Sequence, residues 1–174
     1  NFRFFASQLL ELSHWDFEGR EHTNHVSWDP AGVTVVITPW NAPLMLGTWR
    51  LAPALAAGNT VVFKPPEWAP LTASILADIT RDAGLPDGVL NVVHGIGEEV
   101  CAALTAHPDV DRIAFTGSIA TGKLVAQAAA PNLTPVSLEL GGKSAFVIFA
   151  DCDLDAAVKQ AVNQYDNAGQ VCLA

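Results

Sequence analysis

From Ala31 to Leu140 short β-branched runs and helix-length segments take turns along the chain, and this alternation limits the possible folds more than any other feature. VTVVIT (33–38), NTVVFK (59–64), VLNVVH (89–94), VDRIAFTG (110–117) and TPVSLEL (134–140) have the length and residue types of strands. The first has no polar alternation, which predicts a strand buried on both faces. Between them lie helical patterns. APLMLGTWRLAPALAAG ends at Gly58, a helix-closing residue, and APLTASILADITRDAG has Leu71, Ile75 and Ile79 on one face and Gly84 at its end. EEVCAALTAH and IATGKLVAQAAA complete the set. Strands joined through helices of ten or more residues are parallel, because the crossover returns the chain to the same edge. The fold class is therefore α/β, a Rossmann-like, doubly wound parallel sheet with helices on both faces.

The flanks differ from this pattern. Residues 1–30 hold an amphipathic helix from Phe2 to Trp15, then a polar stretch, REHTNHVSWDP, with the alternation of an edge strand. Residues 31–140 form the Rossmann-like unit. Residues 141–174 begin another strand and helix, the start of a second domain. The chain opens on Asn1 rather than Met and closes just after Cys172, and it reads as a piece of something longer.

Composition narrows the function. Half of the 174 residues are apolar and 16% are charged, enough to build a core. Eighteen Asp and Glu against nine Lys and Arg give a net charge of -9, which opposes a polyanion, so no nucleic-acid partner is expected. No apolar run approaches the roughly 20 residues of a membrane helix, and no signal-peptide pattern is present. A cytoplasmic location with no membrane partner is the expectation. Cys101, Cys152 and Cys172 are odd in number and far apart, and the five His residues are scattered, so neither a disulfide framework nor a metal site is expected.

Doubly wound sheets bind ligands at the carboxyl ends of their strands. The residues found there are Thr38, Pro39, Trp40 and Asn41; Lys64 and Glu67; Gly95; Gly117 and Ser118; and Glu139, followed by Gly141, Gly142 and Lys143. FTGSIATG sets Gly117 and Ser118 at a helix start, where backbone N–H groups suit a pyrophosphate. It lacks the full G-x-G-x-x-G spacing, and an ordinary tight turn is the alternative. In KPPE two prolines hold Lys64 and Glu67 in a fixed relation, suited to ribose hydroxyls and favouring NAD over NADP; a solvated turn is the alternative. Glu139 follows an apolar strand, a setting that raises a carboxyl pKa toward general-base use, unless it only marks the strand end. Taken alone, Cys172 reads as a structural thiol.

The ordered set TPWN, KPPE, FTGS, ELGGK and GQVC is far more specific than its members, and it resembles the aldehyde dehydrogenase superfamily from about Ala31 to the last residue. That resemblance implies Cys172 as nucleophile, Glu139 as general base, and Asn41 as the oxyanion donor acting with the Cys172 backbone N–H. It implies NAD in preference to NADP as cofactor. Thr38, Pro39, Trp40, Lys64, Glu67, Gly117 and Ser118 would be its contacts, and Gly95 a backbone position near the adenine side. It also implies an aldehyde substrate and a homodimeric or homotetrameric parent. Residues 1–30 would hold part of the oligomerisation region, and 141–174 the start of the catalytic domain. NFRFFA, ITPWNAPLMLGTWRLAPALAAG and KPPEWAPLTA look most like dehydrogenases of muconic semialdehydes. Two departures stand out. The Glu139-to-Cys172 interval is one residue shorter than the family's, and Ala120 stands where an acid is frequent. A competing expectation is a truncated, non-catalytic nucleotide-binding module. A reductase using Tyr and Lys fits poorly, because Tyr165 is the only tyrosine and no lysine lies four residues after it.

Overall fold

The computed structural model describes residues 1–11, 15–164 and 166–172. Five strands form one parallel sheet in the order β5-β4-β3-β6-β7: β3 (Val33–Ile37), β4 (Thr60–Lys64), β5 (Leu90–Val92), β6 (Arg112–Gly117) and β7 (Val136–Leu140). The chain moves outward from β3 to β5, returns to place β6 beside β3, and moves outward again to β7. The reversal between β3 and β6 is the topological switch point, where such sheets open a crevice.

Period-two alternation sends successive side chains to opposite faces, and both faces are covered. Val35, Ile37, Ile113 and Phe115 pack with Val125 and Ala129 of α5 (Ile119–Ala129). Val36, Val61, Phe63 and Ala114 pack with Leu51 of α2 (Pro43–Ala56) and with Ala73 and Leu76 of α3 (Leu71–Asp82). Val35, Val36, Leu51, Val61 and Ile113 are fully buried, each such side chain contributing about 1.5–3 kcal/mol over leaving it in water. The expected double burial of VTVVIT is present.

Local chemistry sets the element ends. Pro43 opens α2, where its missing N–H is not needed. Gly58, at φ 81, closes it, and the Asn59 N–H returns to the Ala54 carbonyl at 3.1 Å. The Asn59 side chain then bridges Gly32 N and Ala54 O, fixing the starts of β3 and β4 side by side. The helical stretch after β5 begins as a wider turn over Gly97–Cys101 and continues as α4 (Ala102–Thr105).

Several expectations are corrected. The N-terminal helix, α1, spans Phe2–Glu11, and Trp15 begins a strand, β1 (Trp15–Glu18). β1 pairs antiparallel with β2 (Thr23–Val26) in a separate two-stranded sheet, so the polar stretch is one half of a hairpin rather than an edge of the main sheet. Residues 141–149 form no strand, because none of the described residues offers them a ladder; Phe146, Val147 and Phe149 stay exposed before α6 (Leu154–Asn163). On α3 Leu71, Ile75 and Ile79 share one face as expected; that face is exposed, and Ala73 and Leu76 turn to the sheet. Among the described residues no helix is long and apolar enough to cross a membrane.

Candidate active site

The carboxyl ends of β3, β4, β6 and β7 open into one cleft of about 1820 Å³. Its walls include Thr38, Pro39, Trp40, Asn41, Lys64, Glu67, Gly117, Ser118, Glu139 and Cys172, drawn from widely separated parts of the chain. Gly95 is the one sequence-selected residue outside these walls. Its φ of 151 and the closeness of Val100 leave no room for a Cβ in the turn after β5.

Pro65 is fully buried and fixes the turn after β4. Lys64, only 3% exposed, directs Nζ at Glu67 Oε1, 2.5 Å away. Burial pulls the Glu67 carboxyl upward, but the Lys64 hydrogen bond and charge, with backbone N–H donors at Glu67 and Gly97, outweigh it and hold its pKa below the ordinary 4.5. The folded pKa is depressed, so the pair's stabilisation is complete above pH 4.5 and is lost as pH falls through the lower folded value. Glu67→Gln should therefore flatten the acid limb of the thermal-stability curve, the difference from the parent vanishing once pH falls below the depressed folded value. The difference at neutral pH should be no more than about 1 kcal/mol, because Glu67 meets solvent.

At the switch point, Ser118 caps α5, its hydroxyl accepting from Thr121 N at 3.1 Å and hydrogen-bonding Thr121 Oγ1 at 2.8 Å. The positive end of α5 faces the cleft beside Gly117. Gly122, one turn in, lets the helix lie against β7: a Cβ there would come within 2.6 Å of Leu140 Cδ2. Thr38 is 4% exposed and its Oγ1 has no hydrogen-bond partner, a buried polar atom on the cleft wall.

The opposite end gathers Asn41, Glu139 and Cys172. Asn41 Nδ2 donates to the Gln170 carbonyl at 2.8 Å, and its Oδ1 is buried without a partner. The Cys172 backbone lies against the glycine pair after β7, its carbonyl oxygen 3.2 Å from where a Gly142 Cβ would stand. Cys172 is exposed. Glu139 departs from expectation: its side chain is 66% exposed rather than set in apolar surroundings, and its nearest cation is Arg50, 3.8 Å away. The other thiols differ. Cys101 is buried, and burial pushes its pKa up, as do Glu67 and Glu98 against the pull of Lys64, leaving an inert thiol; Cys152 is exposed.

The sequence pattern of the "Aldehyde dehydrogenase family" matches residues 1–174. The chain belongs to the aldehyde dehydrogenase family. Against the 2-hydroxymuconic semialdehyde dehydrogenase of Pseudomonas sp. (strain CF600) it is 49% identical over 180 aligned residues, covering 99% of this chain and 37% of that protein. The crystal structure of PnpE from Pseudomonas sp. WBC-3 superposes with a TM-score of 0.94 at 42% identity, over 99% of this chain and 36% of that one. Betaine aldehyde dehydrogenase from Staphylococcus aureus, in complex with NAD+, gives 0.93 at 40% identity, over 97% of this chain and 34% of that one. The chain thus spans a little over a third of the length of the relatives it matches.

Two side chains of this aldehyde dehydrogenase segment, Arg50 and Asn167, escaped the sequence reading. Arg50 reaches both Glu139 and Thr116 Oγ1, the latter at 3.3 Å. It is the only charged residue in APLMLGTWRLAPALAAG, and a lone charge in an apolar helix was the available signal. Asn167 Nδ2 donates to the Asn41 carbonyl across the site, and only the turn-forming composition of DNAG hinted at it.

Proposed function

We propose that the chain carries the nucleotide site and the nucleophile of an NAD-dependent oxidation of an aldehyde, a muconic-type semialdehyde, to a carboxylic acid. The observation that carries this reading is the single cleft shared by Cys172, Asn41 and Glu139 at one end and Lys64, Glu67 and Ser118 at the other. The name of the Pseudomonas relative supports the substrate class.

The residues fit a dinucleotide. The Thr38 hydroxyl lacks a partner, Lys64 has N–H donors beyond the one given to Glu67, and the N-terminus of α5 suits a pyrophosphate. Glu67 would accept from a ribose hydroxyl and repel a 2′-phosphate, favouring NAD over NADP. NAD, when bound, supplies the hydride acceptor. Cys172 Sγ, as thiolate, adds to the aldehyde carbon and forms a thiohemiacetal. A second N–H of Asn41 Nδ2 and the Cys172 backbone N–H stabilise the oxyanion. After oxidation of the adduct to a thioester, Glu139 takes a proton from water, which attacks the thioester carbon; the acid leaves and Cys172 is restored.

The test uses this sequence within a chain of its relatives' length, following NADH absorbance with NAD and a muconic semialdehyde. Aldehyde-dependent NADH formation is the expected result. Nucleotide binding without turnover would favour the non-catalytic module, and neither binding nor turnover would overturn the reading.

A further inference from the structure

The backbone turns left-handed just before Cys172. Asn167 (φ 50, ψ 43), Ala168 (φ 55, ψ 32) and Gly169 (φ 71) are consecutive residues in a region that Gly and Asn tolerate and Ala resists. Such a run persists where its surroundings hold it. Here the surroundings form a closed circuit. The Asn167 Nδ2 donates to the Asn41 carbonyl at 2.9 Å, Asn41 Nδ2 donates to the Gln170 carbonyl at 2.8 Å, and the Gln170 N–H donates back to the Asn167 carbonyl at 3.0 Å. Lys143 Nζ adds a bond to the Gly169 carbonyl at 3.0 Å, tying the turn to the segment after β7.

We propose that Asn167 is a positioning residue, its amide aimed by the left-handed turn at Asn41, so that the turn before Cys172 and the loop after β3 move as one body. The two asparagines hold each other across 126 residues of sequence: each gives its side-chain donor to a backbone carbonyl of the other's segment. A right-handed turn at 167 would aim the amide elsewhere and release both bonds. The spacing between Asn41 and the Cys172 backbone is thereby set before any ligand binds. That this spacing serves catalysis rests on the reading above; the clamp itself does not.

The clamp is tested without aldehyde or nucleotide, on the present chain, by NMR measurement of hydrogen exchange at the Asn41 side-chain amide. Asn167→Gly keeps a residue at ease in the left-handed region and removes the donor. Asn167→Asp keeps the outline and offers an acceptor in its place. Both should speed exchange at Asn41 roughly fivefold, as expected for loss of one neutral hydrogen bond, and both should shift the Cys172 backbone amide signal. Ala168→Gly relieves the strained alanine of this turn, keeps the clamp, and should leave Asn41 exchange unchanged or slower. Unchanged exchange in both folded Asn167 variants would overturn the proposal. So would equal acceleration by Ala168→Gly, which would make backbone stiffness rather than the amide the holding element.

Discussion

Cys172→Ser, in a chain of the relatives' length, should abolish aldehyde-dependent NADH formation, lowering kcat by on the order of 10⁴-fold or more. A serine hydroxyl offers almost no anion at neutral pH and is a far weaker nucleophile toward an aldehyde carbon than a thiol. Neither Cys101 nor Cys152 can substitute. The first is buried beneath the Lys64–Glu67 turn with its pKa raised, and the second lies in the turn before α6. Nucleotide affinity should be unchanged in this variant, since the Lys64 and Ser118 end of the cleft is untouched. Steady-state rates paired with a binding titration check both halves of the expectation.

Asn41→Ala should lower kcat by about 10²–10³-fold with a much smaller change in KM, the pattern for losing a donor used mainly in the transition state. The alanine removes the proposed oxyanion donor and also the bond to the Gln170 carbonyl, so its effect should exceed that of Asn167→Gly, which leaves the Asn41 amide in place. Comparing the two variants in the same assay separates donation from positioning.

The sheet was legible because its signal is local. Val33–Ile37 has apolar residues at every position but one, and only a strand covered on both faces accommodates that. The strand ends followed, and with them Lys64, Glu67, Ser118 and Asn41. What remained illegible depends on partners distant in sequence. Phe146–Phe149 has the composition of a strand but, among the described residues, no neighbour with which to form a ladder. WDFE at Trp15–Glu18 carries little strand signal and is one only because Thr23–Val26 lies opposite. On α3 the larger side chains, Leu71, Ile75 and Ile79, marked an apolar stripe, yet the sheet admits the face of Ala73 and Leu76. Periodicity identifies a stripe and leaves its contact unspecified. Glu139 ends an apolar strand, but the strand is an edge of the sheet, and the carboxylate is exposed instead of desolvated. The left-handed turn before Cys172 violates the preference of Ala168, so no local rule could foresee it.

The claim that the cleft at the β3–β6 switch point is a nucleotide site is tested most directly by calorimetric titration of this chain with NAD, beside its Lys64→Met variant. The account predicts a saturable signal with one nucleotide per chain, and affinity weaker by roughly tenfold or more in the variant, as expected for loss of a hydrogen bond from a charged donor. A chain that is folded and gives no heat with NAD, or one whose affinity is indifferent to Lys64→Met, would contradict it.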